Sequence, residues 1–84
     1  MTKNKNRQNL NKIVAYRLRD LRKSKKVIQL AVSIDTGISR TSIVGYEKGT
    51  SLPDLEKLYK LSEYYGVTCD YILGRTNIKN SILD

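Results

Sequence analysis

The sequence predicts an all-α fold, one bundle of five short helices, and three observations carry that prediction. Apolar residues recur at intervals of three and four along most of the chain. Glycines at positions 37, 49, 66 and 74 divide those stretches into short segments. No segment alternates with the period of two that a strand requires. Eighty-four residues bury too little surface for two separate cores, so a single domain is expected.

Each helix has its own signature. In the first, from Leu10 to Lys25, Leu10, Val14, Leu18 and Leu21 form one stripe with Ile13 beside it, and cations crowd the C-terminal end, where the helix dipole favours them. Residues 1–9 are polar and basic without periodicity and read as a flexible arm. The second helix runs from about Ile28 to Thr36 and is closed by Gly37. Ser39 opens the third as an N-cap, Ile43 and Tyr46 supply its inward face, and Gly49 stops it. Pro53 is placed in the first turn of the fourth, which carries Leu55, Leu58, Leu61, Tyr64 and Tyr65 as its apolar stripe to Gly66. Thr68 caps a short fifth helix holding Tyr71, Ile72 and Leu73, and Gly74 ends it. The tail is polar apart from Ile78, Ile82 and Leu83.

Composition removes whole classes of function. One Cys (Cys69) and no His cannot supply the four or so ligands of a structural zinc site, and a disulfide needs a second Cys. There is no nucleophile–base pair and no phosphate-binding glycine loop, so no catalytic residues, no metal and no cofactor are expected. No apolar run approaches a membrane span, and the start MTKNKNRQN holds no apolar signal core, so a cytoplasmic location is expected. The net charge of +8 is concentrated. Residues 1–26 hold ten Lys/Arg and one acid, whereas residues 27–84 hold six bases and seven acids. Such polarity suits a polyanion, DNA being the commonest, although a solvated basic face is the plainer alternative.

Residues 29–48, QLAVSIDTGISRTSIVGYEK, carry the functional signal. Gly37 occupies the turn between two short helices, Ser33 is the small residue where they approach, and Val32, Ile38, Ile43 and Tyr46 lock both to a core. That geometry lets the second helix enter a DNA major groove while the first crosses the backbone. Together with Leu18-Arg19-Asp20-Leu21-Arg22, Gly45-Tyr46-Glu47-Lys48-Gly49, Leu52-Pro53-Asp54-Leu55 and the stretch from Gly66-Val67 to Thr76, the chain resembles the Cro/phage-repressor (XRE) family over residues 14–76.

The resemblance implies a five-helix DNA-binding domain over residues 10–76, preceded by the arm at 1–9 and followed by a tail at 77–84. It assigns phosphate contact to Gln29 and base reading to Arg40, whose guanidinium can grip guanine bidentately. Thr41 would meet a thymine methyl or a base edge, and Ser42 phosphate, from the turn that Ser39 caps. Lys48, Thr50 and Ser51 match the loop that holds the far backbone. Arg22 and Glu47 match a structural ion pair. Four departures stand out: Ile28 in place of a Ser/Thr cap, Ser33 for Ala, Thr36 for a larger apolar residue, and Val44-Gly45 at positions that commonly carry polar base-reading side chains. For Gly45, close backbone approach to DNA and relaxed specificity both remain open. Lys3, Lys5 and Arg7 either follow a DNA groove or form an inert terminus.

The expected partner is double-stranded DNA, bound by a homodimer at a palindromic operator with half-sites roughly 34 Å apart. The fifth helix and the tail are the expected dimer surface. The alternative is a protein-interaction module, such as an antitoxin or anti-repressor partner, acting through Ile34, Val44 or the tail.

Overall fold

The computed structural model describes residues 2–80, with side chains from Asn9 onward. Five helices follow one another: α1 Thr2–Lys25, α2 Gln29–Thr36, α3 Arg40–Lys48, α4 Leu55–Tyr65 and α5 Cys69–Ile72. Among the described residues there is no strand. The core unites all five: Val14, Leu18 and Leu21 of α1, Val32 of α2, Ile43 and Tyr46 of α3, Leu58 and Leu61 of α4, and Tyr71 and Ile72 of α5, with Ile38 of the α2–α3 turn. Each such side chain contributes about 1.5–3 kcal/mol by leaving water. α1 packs most extensively on α3, and α2 leans on both α3 and α4.

Two elements depart from expectation. α1 begins at Thr2 rather than Leu10, so the segment read as a flexible arm over 1–9 continues the helix from residue 2. Its Lys, Arg and Gln residues have good helix propensity and no Gly or Pro interrupts them, so the nucleated helix propagates at one bond per residue. α4 starts at Leu55, not in a turn containing Pro53. The Asp54 carboxylate accepts from the Lys57 backbone N–H at 2.9 Å and takes the N-cap, leaving Pro53 outside the helix. Leu55 is consequently 86% exposed, and Leu52 of the preceding loop packs against the core instead.

The tail folds back on the domain as far as it is described. Arg17 Nη1 donates to the carbonyls of Tyr71 and Thr76, both at 3.1 Å, and Nη2 donates to Asn77 Oδ1 at 2.9 Å. Its guanidinium also lies 4.1 Å from the Tyr71 ring centroid. The Thr68 N–H donates to the Lys79 carbonyl at 2.8 Å. Ile78 remains exposed, while Ile82 and Leu83 lie outside the described residues. Of the tyrosines read as core, Tyr71 is buried and Tyr64 and Tyr65 are half-buried; Tyr16 is exposed.

Candidate nucleic-acid interface

The turn between α2 and α3 is closed by side chains as well as by glycine. Gly37 adopts φ 77°, a left-handed conformation that side-chain-bearing residues rarely take, and its N–H donates to the Ser33 carbonyl at 2.9 Å. Ser33 Oγ donates to the Ile38 carbonyl at 2.6 Å. Thr36 Oγ1 donates to the Val32 carbonyl at 2.7 Å and accepts from the Ile38 N–H at 3.2 Å. The two departures at positions 33 and 36 thus have one explanation. Their hydroxyls satisfy backbone groups that an all-apolar turn would leave unpaired. Ile38, fully enclosed beside Val32, pins the turn to the core.

Ser39 caps α3 through its Oγ, which accepts from the Ser42 N–H at 3.2 Å and donates to Ser42 Oγ at 2.9 Å. The Ser42 hydroxyl is therefore engaged within the cap. Arg40 and Thr41, the first two helical residues, are exposed. No side-chain hydrogen bond ties either to the rest of the described molecule. Along the helix, Thr41, Val44 and Lys48 fall on one stripe opposite Ile43 and Tyr46. Thr41 and Lys48 are exposed, whereas Val44 is half-buried rather than exposed as expected. Ile34 is exposed as expected, at 72%.

The other end of α3 is a closed polar hub. Glu47 is 5% exposed, and its carboxylate accepts Arg22 Nε at 2.8 and 3.0 Å and Gln29 Nε2 at 3.1 Å. Arg22 Nη1 donates to the Val27 carbonyl at 3.0 Å, and Arg19 Nη1 donates to the Glu47 carbonyl. The hydrogen bond to Glu47 holds the Arg22 pKa above its ordinary value. Gln29, to which the resemblance assigns a phosphate contact, donates one amide hydrogen to Glu47 here. It ties the start of α2 to the end of α3, an interaction that neither spacing nor periodicity reveals. Ile28 leaves α2 without a side-chain cap.

The loop after α3 packs against Gly45. The Thr50 N–H and Oγ1 donate to the Gly45 carbonyl at 3.0 and 3.2 Å. A Cβ at Gly45 would stand 2.6 Å from Ser51 Oγ and 3.4 Å from Thr50 Oγ1. The missing side chain admits the loop, which is an internal reason for glycine and neither of the two considered from sequence. Thr50, Ser51 and Lys48 are exposed beside it. Asn11 of α1 braces the same place, with Nδ2 donating to the Gly49 carbonyl at 2.9 Å.

Asn11, Arg17 and Arg19 escaped sequence reasoning. All three lie in the basic first third, where a surplus of cations reads as external charge. Three of those cations, Arg17, Arg19 and Arg22, instead bind backbone or carboxylate oxygens within the domain. Among the described residues no group of His, Cys, Asp or Glu could hold a metal ion, and no helix is long and apolar enough to cross a membrane.

A helix-turn-helix domain model matches residues 15–78. The chain belongs to the XRE-type helix-turn-helix family. Its relatives include an uncharacterized HTH-type transcriptional regulator, YobD, of Bacillus subtilis, 43% identical over 61 residues, covering 73% of this chain and 54% of that protein. The HTH-type transcriptional regulator AnsR of B. subtilis is 41% identical over 66 residues, covering 77% and 56%. The cryptic phage CTXphi transcriptional repressor RstR of Vibrio cholerae is 39% identical over 68 residues, covering 79% and 61%. The chain therefore spans somewhat over half the length of these family members. No solved structure matches it.

Proposed function

We propose that this chain is a sequence-specific double-stranded DNA-binding transcriptional regulator, a cytoplasmic repressor that reads a palindromic operator as a homodimer. The carrying observation is that Arg40 and Thr41 stand exposed on the capped first turn of an α3 whose other end is fixed by Glu47. A rigid rod with an unengaged guanidinium at its tip is suited to bidentate guanine readout in the major groove. Thr41 and Val44 offer methyls to thymine. Ser42, Lys48, Thr50 and Ser51 meet phosphates, and Gln29 can offer its second amide hydrogen to one while bonded to Glu47. Naming RstR a repressor supports repression, and exposed Ile78 in the folded-back tail supports self-association there.

A second reading rests on α2. Ile28, Leu30 and Ile34 expose apolar surface, at 66%, 43% and 72%, and would suit a protein partner of the antitoxin or anti-repressor kind. Selection from random duplex DNA at two salt concentrations separates the two. One enriched palindrome is expected. Salt-sensitive binding with no enriched sequence would contradict the operator-reading proposal and favour the protein-partner reading.

A further inference from the structure

One stripe of α1 has no role in the core. Lys12, Tyr16, Arg19 and Lys23 stand at i, i+4, i+7 and i+11, so they share one side of the helix, opposite the buried Val14 and Leu21. Lys12, Tyr16 and Lys23 are exposed, and their side chains make no hydrogen bond or ion pair among the described residues. Arg19 is half-buried, and its Nη1 donates to the Glu47 carbonyl. That bond sets the middle of the stripe against the C-terminal end of α3, beside Lys48. Two turns earlier along α1, Asn11 holds the Gly49 carbonyl of the same end. The other described cations of α1 are turned elsewhere: Arg17 binds the tail, Arg22 binds Glu47, and Lys25 Nζ stands 4.9 Å from the Tyr64 ring centroid. All four stripe side chains donate hydrogen bonds, and the one acid of α1, Asp20, flanks the stripe. From Lys12 to Lys23 it runs about 16 Å at 1.5 Å per residue. A DNA strand presents a phosphate about every 3.4 Å of duplex axis, so a row of this length meets more than one.

We infer that Lys12, Tyr16 and Lys23 form a phosphate-binding track on the outer face of α1, registered on α3 by Arg19, which lengthens the DNA contact beyond the loop at Lys48–Ser51. This inference rests on the DNA-binding reading above and extends it to a further helix. The track adds affinity without base preference, because phosphates carry no sequence. Its lysines add salt dependence by releasing counterions, whereas the neutral Tyr16 hydroxyl adds affinity alone. A merely solvated basic face would leave these residues without effect on binding.

The test is the slope of log binding constant against log salt concentration, measured by fluorescence anisotropy on a mixed-sequence duplex of about 30 base pairs. The proteins are the full chain and its Lys12→Gln, Lys23→Gln, Lys12→Gln/Lys23→Gln, Tyr16→Phe and Lys25→Gln variants. Each lysine of the track should flatten the slope by about 0.9 when replaced, and the double variant by nearly twice that. Lys25→Gln, which removes the ammonium over Tyr64, should leave the slope almost unchanged. Tyr16→Phe should weaken binding about three- to tenfold and keep the slope. Thermal melts of the free variants should match the unsubstituted chain, since all four side chains are exposed. An unchanged slope in the double variant overturns the track, and so does a Lys25→Gln loss equal to that of Lys23→Gln. Full affinity in Tyr16→Phe overturns the hydroxyl contact. Failure of the unsubstituted chain to bind the duplex at any salt concentration would instead overturn the DNA-binding reading itself.

Discussion

The two ends of α3 carry polar residues of similar kind and use them in opposite ways. At the C-terminal end, Glu47 is buried and its carboxylate is shared by Arg22 and Gln29. At the N-terminal end, Arg40 and Thr41 are exposed and make no side-chain hydrogen bond among the described residues, while the cap beneath them is supplied by Ser39 and Ser42. One end spends its hydrogen-bonding capacity on holding the helix at a fixed angle to α1 and α2, and the other keeps its capacity free. Recognition needs both, because a loose helix cannot place a guanidinium to within hydrogen-bond tolerance of a base edge.

The largest expected effect comes from emptying the hub. Glu47→Ala leaves the partly buried Arg22 guanidinium without its counter-charge and should cost about 3–5 kcal/mol, read by urea denaturation. A stability equal to that of the unsubstituted protein would break the contrast at its closed end. Next is Arg40→Ala, which should leave the unfolding free energy from urea denaturation within about 0.5 kcal/mol of the parent. It should nevertheless lower preference for the selected duplex over a mismatched one by about 1–3 kcal/mol in competition binding. Unchanged preference would break the contrast at the open end.

Smaller substitutions sharpen it. Ile28 is 66% exposed and extended at the start of α2 without a side-chain cap. Ile28→Thr should therefore add about 1 kcal/mol of stability with no change in DNA affinity; no gain in a thermal melt would mean that the backbone there is already satisfied. The smallest effect is expected at Gly45. Replacing a mid-helix glycine by alanine ordinarily gains about 1 kcal/mol, but here the new Cβ must displace the Ser51 hydroxyl. Gly45→Ala alone should be close to neutral, and most of that gain should emerge in the Ser51→Ala background. Additive behaviour in the double-mutant cycle would show that the Gly45–Ser51 approach exerts no energetic effect.

Much of this was legible in the sequence, for identifiable reasons. Helix existence, the Gly37 turn, the Ser39 and Thr68 caps and the core positions Val14, Leu18, Val32, Ile38, Ile43 and Tyr46 all follow from local periodicity and local capping chemistry. What was not legible depends on groups distant in the chain. Gln29 bonds to Glu47, 18 positions on. Arg17 is internal because Tyr71, Thr76 and Asn77 come back to it. Gly45 is small because of Ser51, which a loop folds over it. The α4 start was misplaced for a local reason: Pro53 and Asp54 both mark helix beginnings, and the carboxylate cap took precedence. The start of α1 lies before Leu10 because no Gly or Pro interrupts residues 2–9, so the helix nucleated by the core-packed stretch continues into polar sequence that carries no periodicity of its own.

The contrast between the ends of α3 is tested most directly by NMR, following the Arg40 Nε–H and the Arg22 Nε–H as the selected duplex is added. The Arg40 resonance should shift and gain protection from exchange, while the Arg22 resonance, bonded to Glu47 in the free protein, stays in place. An unmoved Arg40 signal accompanied by shifts of the Leu30 and Ile34 methyls would contradict the account and move recognition to α2.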